Sequence, residues 1–252
     1  MGNELVTLDG YPLTGISREG IWKRLGELEG WFDSPEIKRD RYSRPHGDGD
    51  VETEINFESR LITFNGRVRS KNHDYLHEAA NRLVALPGRG KKKLVVQGHG
   101  PTQWALVDPR GKVKTSFETD SYLSFQIPLE ATDPFKYGDL RTVNVASGVE
   151  GSVHHRGTTE AWPVVTVTGN MPDGYTLTFR SQQVSVPMGL TPSITHRIEY
   201  KTRRLYVNGE VFFGAFGKTD FRSMAPGVRR SFDLTCPTGS GTAKVELVDT
   251  FI

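Results

Sequence analysis

Along most of the chain apolar and polar positions alternate in period two, the spacing that sends successive side chains to opposite faces of a sheet. The clearest segments are Val51 to Phe57, Leu61 to Val68, Tyr122 to Pro128, Val164 to Thr168 and Thr242 to Val248. Each is β-branched or aromatic at alternate positions and bounded by Gly, Asn, Asp or Pro, which predicts strands. One segment departs from that period. From Asn72 to Leu86, the residues Tyr75, Leu76, Ala79, Ala80, Leu83 and Val84 fall three and four apart, which predicts an amphipathic helix. Asn72 or Asp74 is placed to cap its first turn, Arg82 lies near its end, and Pro87-Gly88 stops it.

The breaks between these segments organise the chain. Asp33 to Asp50 holds Pro35, Pro45, Gly47 and Gly49 among alternating charges, and predicts an 18-residue loop without regular structure. Compact domains seldom keep loops longer than about 12 to 15 residues unless the loop has a function. A second break, Ala131 to Asp139, contains Asp133-Pro134 and Tyr137-Gly138 and separates two strand-rich halves. The expected fold is therefore mainly β, with an N-terminal domain over 1–133, carrying the long loop 33–50 and the helix 72–86, and a C-terminal domain over 134–252. A length of 252 residues suits two such domains, because most domains hold about 100 to 150. In the second half strand candidates recur at the short spacing of a sandwich or jelly roll. Its clearest hairpin is Arg204 to Phe213, with Asn208-Gly209 in the two-residue turn, and Met171-Pro172-Asp173-Gly174 is a second turn.

Composition narrows the function. Apolar residues at 36% and charged residues at 25% are enough for packed cores and exclude disorder. The formal charge of +2 balances 32 basic against 30 acidic residues, so no concentrated positive field calls for direct nucleic-acid recognition. The single cysteine, Cys236, has no internal partner and suits a reducing compartment. Met1-Gly2-Asn3-Glu4 is acidic where a signal peptide is basic, and no apolar run approaches the roughly 18 residues of a membrane helix. Val6 stands where a myristoylation signal wants Ser or Thr. The expectation is a product of the cytoplasm with no membrane partner.

Several clusters invite chemistry and fail on spacing. His73 and His77 stand four apart on the helix, as in zinc-protease helices, but Asp74 replaces the Glu and no third ligand follows. His46, Asp48, Asp50, Glu52 and Glu54 suggest a calcium loop, yet Thr53 and Ser59 occupy the positions that need Gly and Glu. Arg89-Gly90-Lys91-Lys92-Lys93 lacks the order of a phosphate-binding loop. Cys236 has no neighbouring histidine, and no Gly-x-Ser-x-Gly elbow occurs. The expectation is no catalytic residue, no metal and no cofactor. Aromatics in the second half, Trp162 and Tyr175 foremost, are the candidate carbohydrate contacts.

The order of these features resembles the distal tail proteins of siphophages, often labelled minor tail proteins. Gly30-Trp31-Phe32-Asp33-Ser34-Pro35, a charged loop ending in Pro45-His46-Gly47, the strand Arg60 to Gly66 and then a single helix are similar to that family's ring-forming domain. The junction from Phe125 to Gly138, a strand running into Asp-Pro and then Tyr, and the stretch Gly157 to Gly169 resemble the passage into its galectin-like second domain. Asn208-Gly209 and Met224 to Gly227 fit the same domain. The resemblance implies a virion protein of the phage tail tip, a six-membered homo-oligomeric ring joining the tail tube protein to hub or tail-tip proteins, made in the host bacterial cytoplasm. Trp31 and Phe32 can anchor the long loop in a core or an adjacent subunit, while Arg39, Arg41 and Arg44 can meet carboxylates across an interface. Deleting Glu36 to Gly49 is then expected to weaken assembly and leave each monomer folded. The competing readings are a carbohydrate-binding module that recognises a cell-surface glycan receptor and, after it, a glycan hydrolase.

Overall fold

A computed structural model describes residues 4–40, 42–51, 53, 55–86 and 88–252. The chain divides into two compact units, Met1–Lys136 with Ile252, and Tyr137–Phe251. Each buries its own apolar cluster.

The first unit opens with β1 (Leu5–Leu8), β2 (Tyr11–Pro12), β3 (Gly15–Ile16) and β4 (Ile21–Arg24), followed by four two-residue strands, β5 (Ile37–Lys38), β6 (Tyr42–Ser43), β7 (Asp50–Val51) and β8 (Asn56–Phe57). It continues with β9 (Arg60–Arg69), α1 (His73–Ala85), β10 (Lys92–Gln97), β11 (Gln103–Pro109), β12 (Lys114–Thr119) and β13 (Tyr122–Ala131). Its described strands pair antiparallel with one another. One run is β3-β4-β9-β13-β12 and another is β2-β1-β10-β11. On β9 and β13 alternate residues turn inward, among them Ile62, Phe64, Val68, Leu123, Phe125 and Ile127, and α1 adds Leu76, Ala79, Ala80 and Leu83 to the same cluster. Gly66 lies on that inward face because a Cβ there would come 2.4 Å from the Phe125 ring.

The expected helix is present. The Asn72 side chain accepts from the Asp74 N–H at 2.9 Å, the capping geometry its position foretold, and Leu86 closes the last turn on the Arg82 carbonyl. Pro87 lies outside the described residues. No helix among the described residues is long and apolar enough to cross a membrane.

The second unit contains β14 (Lys136–Ala146, from Tyr137), β15 (Gly151–His154), β16 (Val164–Asn170), β17 (Tyr175–Phe179), β18 (Gln182–Val186), β19 (His196–Glu199), β20 (Arg204–Val207), β21 (Glu210–Phe212), β22 (Arg229–Thr235) and β23 (Ser240–Phe251). Their pairing gives the order β21-β20-β19-β16-β23-β14 in one layer and β15-β22-β17-β18 in the other. Val165, Val167, Ile198 and Val245 from the first layer meet Leu177, Phe179, Val184 and Phe232 from the second in one cluster, as in a β-sandwich. At the β20–β21 turn Asn208 and Gly209 take φ of 49° and 91°, the pair of positive angles a two-residue hairpin needs.

Two expectations require correction. The segment from Asp33 to Asp50 is not without regular structure: it forms one leg and the tip of a two-stranded arm whose other leg runs to Phe57. Its rungs are only two residues long, so dense charge hides the period-two signal. The predicted strand from Val51 to Phe57 is correspondingly interrupted, regular at Asp50–Val51 and Asn56–Phe57. The break at Ala131 to Asp139 is also shorter than its prolyl and glycyl composition suggests. β13 runs through Ala131 and β14 resumes at Lys136, leaving a four-residue link over 132–135.

Candidate assembly surface

Between Trp31 and Arg60 the chain leaves the first core and returns as a hairpin. Ile37 pairs with Phe57 and Lys38 with Asn56 near its base; Tyr42 pairs with Val51 and Ser43 with Asp50 further out. Glu58 N–H donates to the Glu36 carbonyl at 2.8 Å, Thr53 Oγ1 to the Asp40 carbonyl at 2.6 Å, and Arg44 N–H to the Gly49 carbonyl at 3.3 Å near the tip. These bonds satisfy part of the backbone that a structureless loop would leave to solvent. The side chains tell a different story. Ile37, Tyr42, Val51 and Ile55 are exposed by 62%, 61%, 45% and 56%, so the arm carries apolar surface that the described residues leave uncovered. Arg39 and Arg44 are exposed on the same arm, among carboxylates. Arg41, Glu52 and Glu54 lie outside the described residues.

The root of the arm is built very differently. Arg60 begins β9 on its inward face and is 2% exposed. Its Nη1 donates to the carbonyls of Gly30 at 2.8 Å, Asp33 at 2.6 Å and Trp31 at 3.4 Å, and its Nε donates to Pro134 O at 2.9 Å. The buried Lys136 Nζ donates to the same Trp31 carbonyl at 3.0 Å and sits 5.8 Å from the Trp31 ring centroid. Two cations therefore hold the backbone where the arm leaves and the link over 132–135 passes. Burial, and then repulsion from Arg60, bring the Lys136 ammonium down to about 8, with Asp33 opposing. Burial likewise lowers Arg60, again against Asp33. Gly30 has φ of 74°, and a Cβ there would lie 1.7 Å from the Leu61 carbonyl oxygen. Only glycine fits this turn.

Of the residues singled out at the arm's base, Trp31 is 1% exposed and belongs to the core, so it anchors from within and offers no surface to a partner. Phe32 is 52% exposed, with its ring edge-on to His99 at 5.3 Å. Tyr175 is 3% exposed on the inward face of β17, its hydroxyl 3.1 Å from His196 Nδ1, and cannot stack on a sugar. Trp162 is half-buried against the second core. His73 and His77 bring their Nε2 atoms to 3.0 Å on the exposed face of α1, beside Phe117. No group of three or more potential metal ligands occurs among the described residues. Cys236 is half-buried, its Sγ 3.5 Å from the Gly239 carbonyl. In the basic cluster, Lys92 pairs with Asp9 at 3.2 Å and Lys93 lies over the Trp104 ring at 4.4 Å.

Sequence reasoning missed Arg60, Lys136 and the apolar arm residues. A signal for Arg60 was present: it stands two before Ile62 and four before Phe64, at a position whose period points inward. Lys136, beyond the Asp133-Pro134 break, gave no such signal.

The fold of this chain, mainly β with one helix among the described residues, is matched by solved proteins of the phage tail apparatus. The chain superposes on the SPP1 Dit (gp 19.1) protein, a paradigm of the hub adsorption apparatus in phages that infect Gram-positive bacteria, over 99% of each chain with a TM-score of 0.73 at 15% identity. It also matches a chain of the phage P2 baseplate in its activated conformation with calcium, over 97% of each chain, with a TM-score of 0.51 and 9% identity. No family model matches the sequence, and no curated protein matches it. At these identities the likeness is one of fold.

Proposed function

We propose that the chain is a structural, non-enzymatic component of a phage tail tip. Six copies form a closed homo-oligomeric ring that joins the tail tube protein to hub or tail-tip proteins within the virion. The first compact unit is the ring-forming domain, and the second is a galectin-like β-sandwich. The observation that carries this reading is the full-length match to the SPP1 Dit protein, 99% of each chain. The arm supports it physically. Four large apolar side chains are 45 to 62% exposed on it, and covering roughly half of each at about 1.5 to 3 kcal/mol per full burial contributes about 3 to 6 kcal/mol per arm. Arg39 and Arg44 supply planar donors at the edge of such a contact. An arm that docks on the next copy makes a head-to-tail interface, which closes into a ring or runs on as a filament.

The test is native mass spectrometry of the intact chain and of an arm-less variant. Deletion of Glu36 to Gly49 is unsuitable, because it strands β7 and β8 without partners. The bond from Glu58 N–H to the Glu36 carbonyl brings the two ends of the arm together, so residues 36–58 can be replaced by two glycines. The expected outcome is a ring for the intact chain and folded monomers for the variant. Rings of unchanged stability in the variant would show that the arm is a surface excursion.

A further inference from the structure

The outward face of the four-stranded layer β15-β22-β17-β18 is polar throughout. Ser152 stands opposite Ser231, His154 opposite Arg229, and Thr178 between Asp233 and Gln183, while the alternate residues Leu177, Phe179, Phe232 and Leu234 fill the core. A cavity of about 490 Å³ opens on this face, lined by three arginines, Arg180, Arg229 and Arg230, and two carboxylates, Glu150 and Asp233. Thr178, Ser181 and Ser231 add hydroxyls. Among the described residues none of these three arginines enters an ion pair, although two carboxylates share the cavity with them. A second hollow of about 490 Å³ shares Ser181 and carries Lys218, whose Nζ donates to Gln183 Oε1 at 2.7 Å.

Arg180 carries the argument further. Phe179 pairs with Gln182, so Arg180 and Ser181 form a two-residue hairpin turn, and Arg180 holds φ of 65°. Glycine takes that angle in a hairpin without penalty, and Asn or Asp is the next choice. A long cationic side chain at a strained turn, lining a cavity that Arg229 and Arg230 also line, points to a ligand for its charge. The cavity has no exposed aromatic ring to stack on a neutral sugar or a nucleobase. Charge and hydroxyl hydrogen bonding must do the binding.

We propose that this groove binds a phosphate group carried on a sugar or polyol chain. Arg180, Arg229 and Arg230 grip the phosphate oxygens through their planar donor forks, and Ser181 and Ser231 donate beside them. Glu150 and Asp233, which would repel a bare anion, accept from the hydroxyls of the chain that carries it. The site lies wholly within the second unit and does not depend on ring assembly.

Isothermal titration of the full chain tests it with four probes: a phosphorylated glucan oligosaccharide, the same oligosaccharide after phosphatase treatment, inorganic phosphate, and a short DNA duplex. The expected result is binding of the first alone, weakening as salt rises. Arg180→Gly should lower that affinity about tenfold or more while leaving Tm unchanged or raised, since it relieves the positive φ. Arg229→Ala with Arg230→Ala, on the exposed end of β22, should lower the affinity further. Equal binding of the dephosphorylated glucan, of phosphate alone or of the duplex would overturn the assignment. So would affinity for the phosphorylated glucan that survives both variants, or an Arg180→Gly protein that is less stable and binds as well as before. Failure to form rings leaves this titration standing, and absence of binding leaves the ring standing.

Discussion

Replacing Arg60 by Met keeps the length of the side chain and removes its charge and every donor. Three carbonyls, those of Gly30, Asp33 and Pro134, then lose partners at 2.6 to 2.9 Å, and that of Trp31 keeps only Lys136. A bond from a charged donor contributes about 1.5 to 3 kcal/mol net, so three would suggest roughly 4.5 to 9 kcal/mol. That sum overshoots, because burying the guanidinium itself costs several kcal/mol and Met is free of that penalty. Nη2 of Arg60 has no hydrogen-bond partner among the described residues, which makes the native burial less favourable still. These three bonds are only part-buried, so water replaces some of the lost partners, and setting the terms against each other gives a loss of about 3 kcal/mol. For a unit of this size that corresponds to a fall in Tm of roughly 9 to 15 °C. Differential scanning calorimetry reads the shift, and hydrogen exchange at residues 30–34 locates it. A change in Tm smaller than about 2 °C would refute the reasoning, since the four bonds would then be worth no more than a well-packed apolar side chain.

Lys136→Met is expected to cost far less than Arg60→Met, because the native ammonium is held at about 8 against a pull toward its ordinary value. The unfolded chain binds the extra proton between pH 8 and about 10.4, so this group makes stability rise with pH across that window, and a pH series of unfolding curves for Lys136→Met should lack the rise. In the second unit burial lowers the His196 pKa, and its Nε2 has no hydrogen-bond partner among the described residues. The unfolded chain protonates first, so the stability His196 contributes is lost as pH falls below about 6.5, and denaturant titrations of His196→Gln should show a shallower acid loss. Gly30→Ala forces a Cβ against the Leu61 carbonyl at a positive φ and should cost about 3 kcal/mol or more, read as a lowered denaturation midpoint.

What the sequence made legible follows from how local each signal is. The helix needed only a change of period, an Asn cap and a Pro stop, all within Asn72 to Leu86 plus one residue. The β20–β21 hairpin was visible because Asn208-Gly209 can take positive φ at both positions. The arm was not visible, because its rungs are two residues long and charged residues occupy most of its first leg, Asp33 to Arg44, so that only the second leg, Val51 to Phe57, showed any alternation. Tyr175 was misplaced for another reason: alternation tells which residues share a face, and not which face is buried. Arg60 and Lys136 act through carbonyls 27 to 105 positions away in sequence, and no local pattern reports such a partner.

The contrast between a buried, cationic root and an exposed, apolar arm has a mechanical sense. A packed leucine at position 60 would stabilise the core without fixing the direction in which the carbonyls of Gly30 and Asp33 point, since apolar contacts are not directional. A guanidinium with donors in a planar fork does fix it. The arm is a lever: at about 3.3 Å per residue each leg extends roughly 30 Å, so a 10° swing at the root moves the tip by about 5 Å. A displacement of that size separates Tyr42 and Val51 from any surface shaped to receive them. Assembly through the arm should therefore fail before the fold does. If the proposed ring is correct, Arg60→Met protein held well below its own Tm will have native circular dichroism and will be found as monomer by native mass spectrometry. Rings that persist in this variant until the unit melts would mean that the root only stabilises the domain and does not aim the arm.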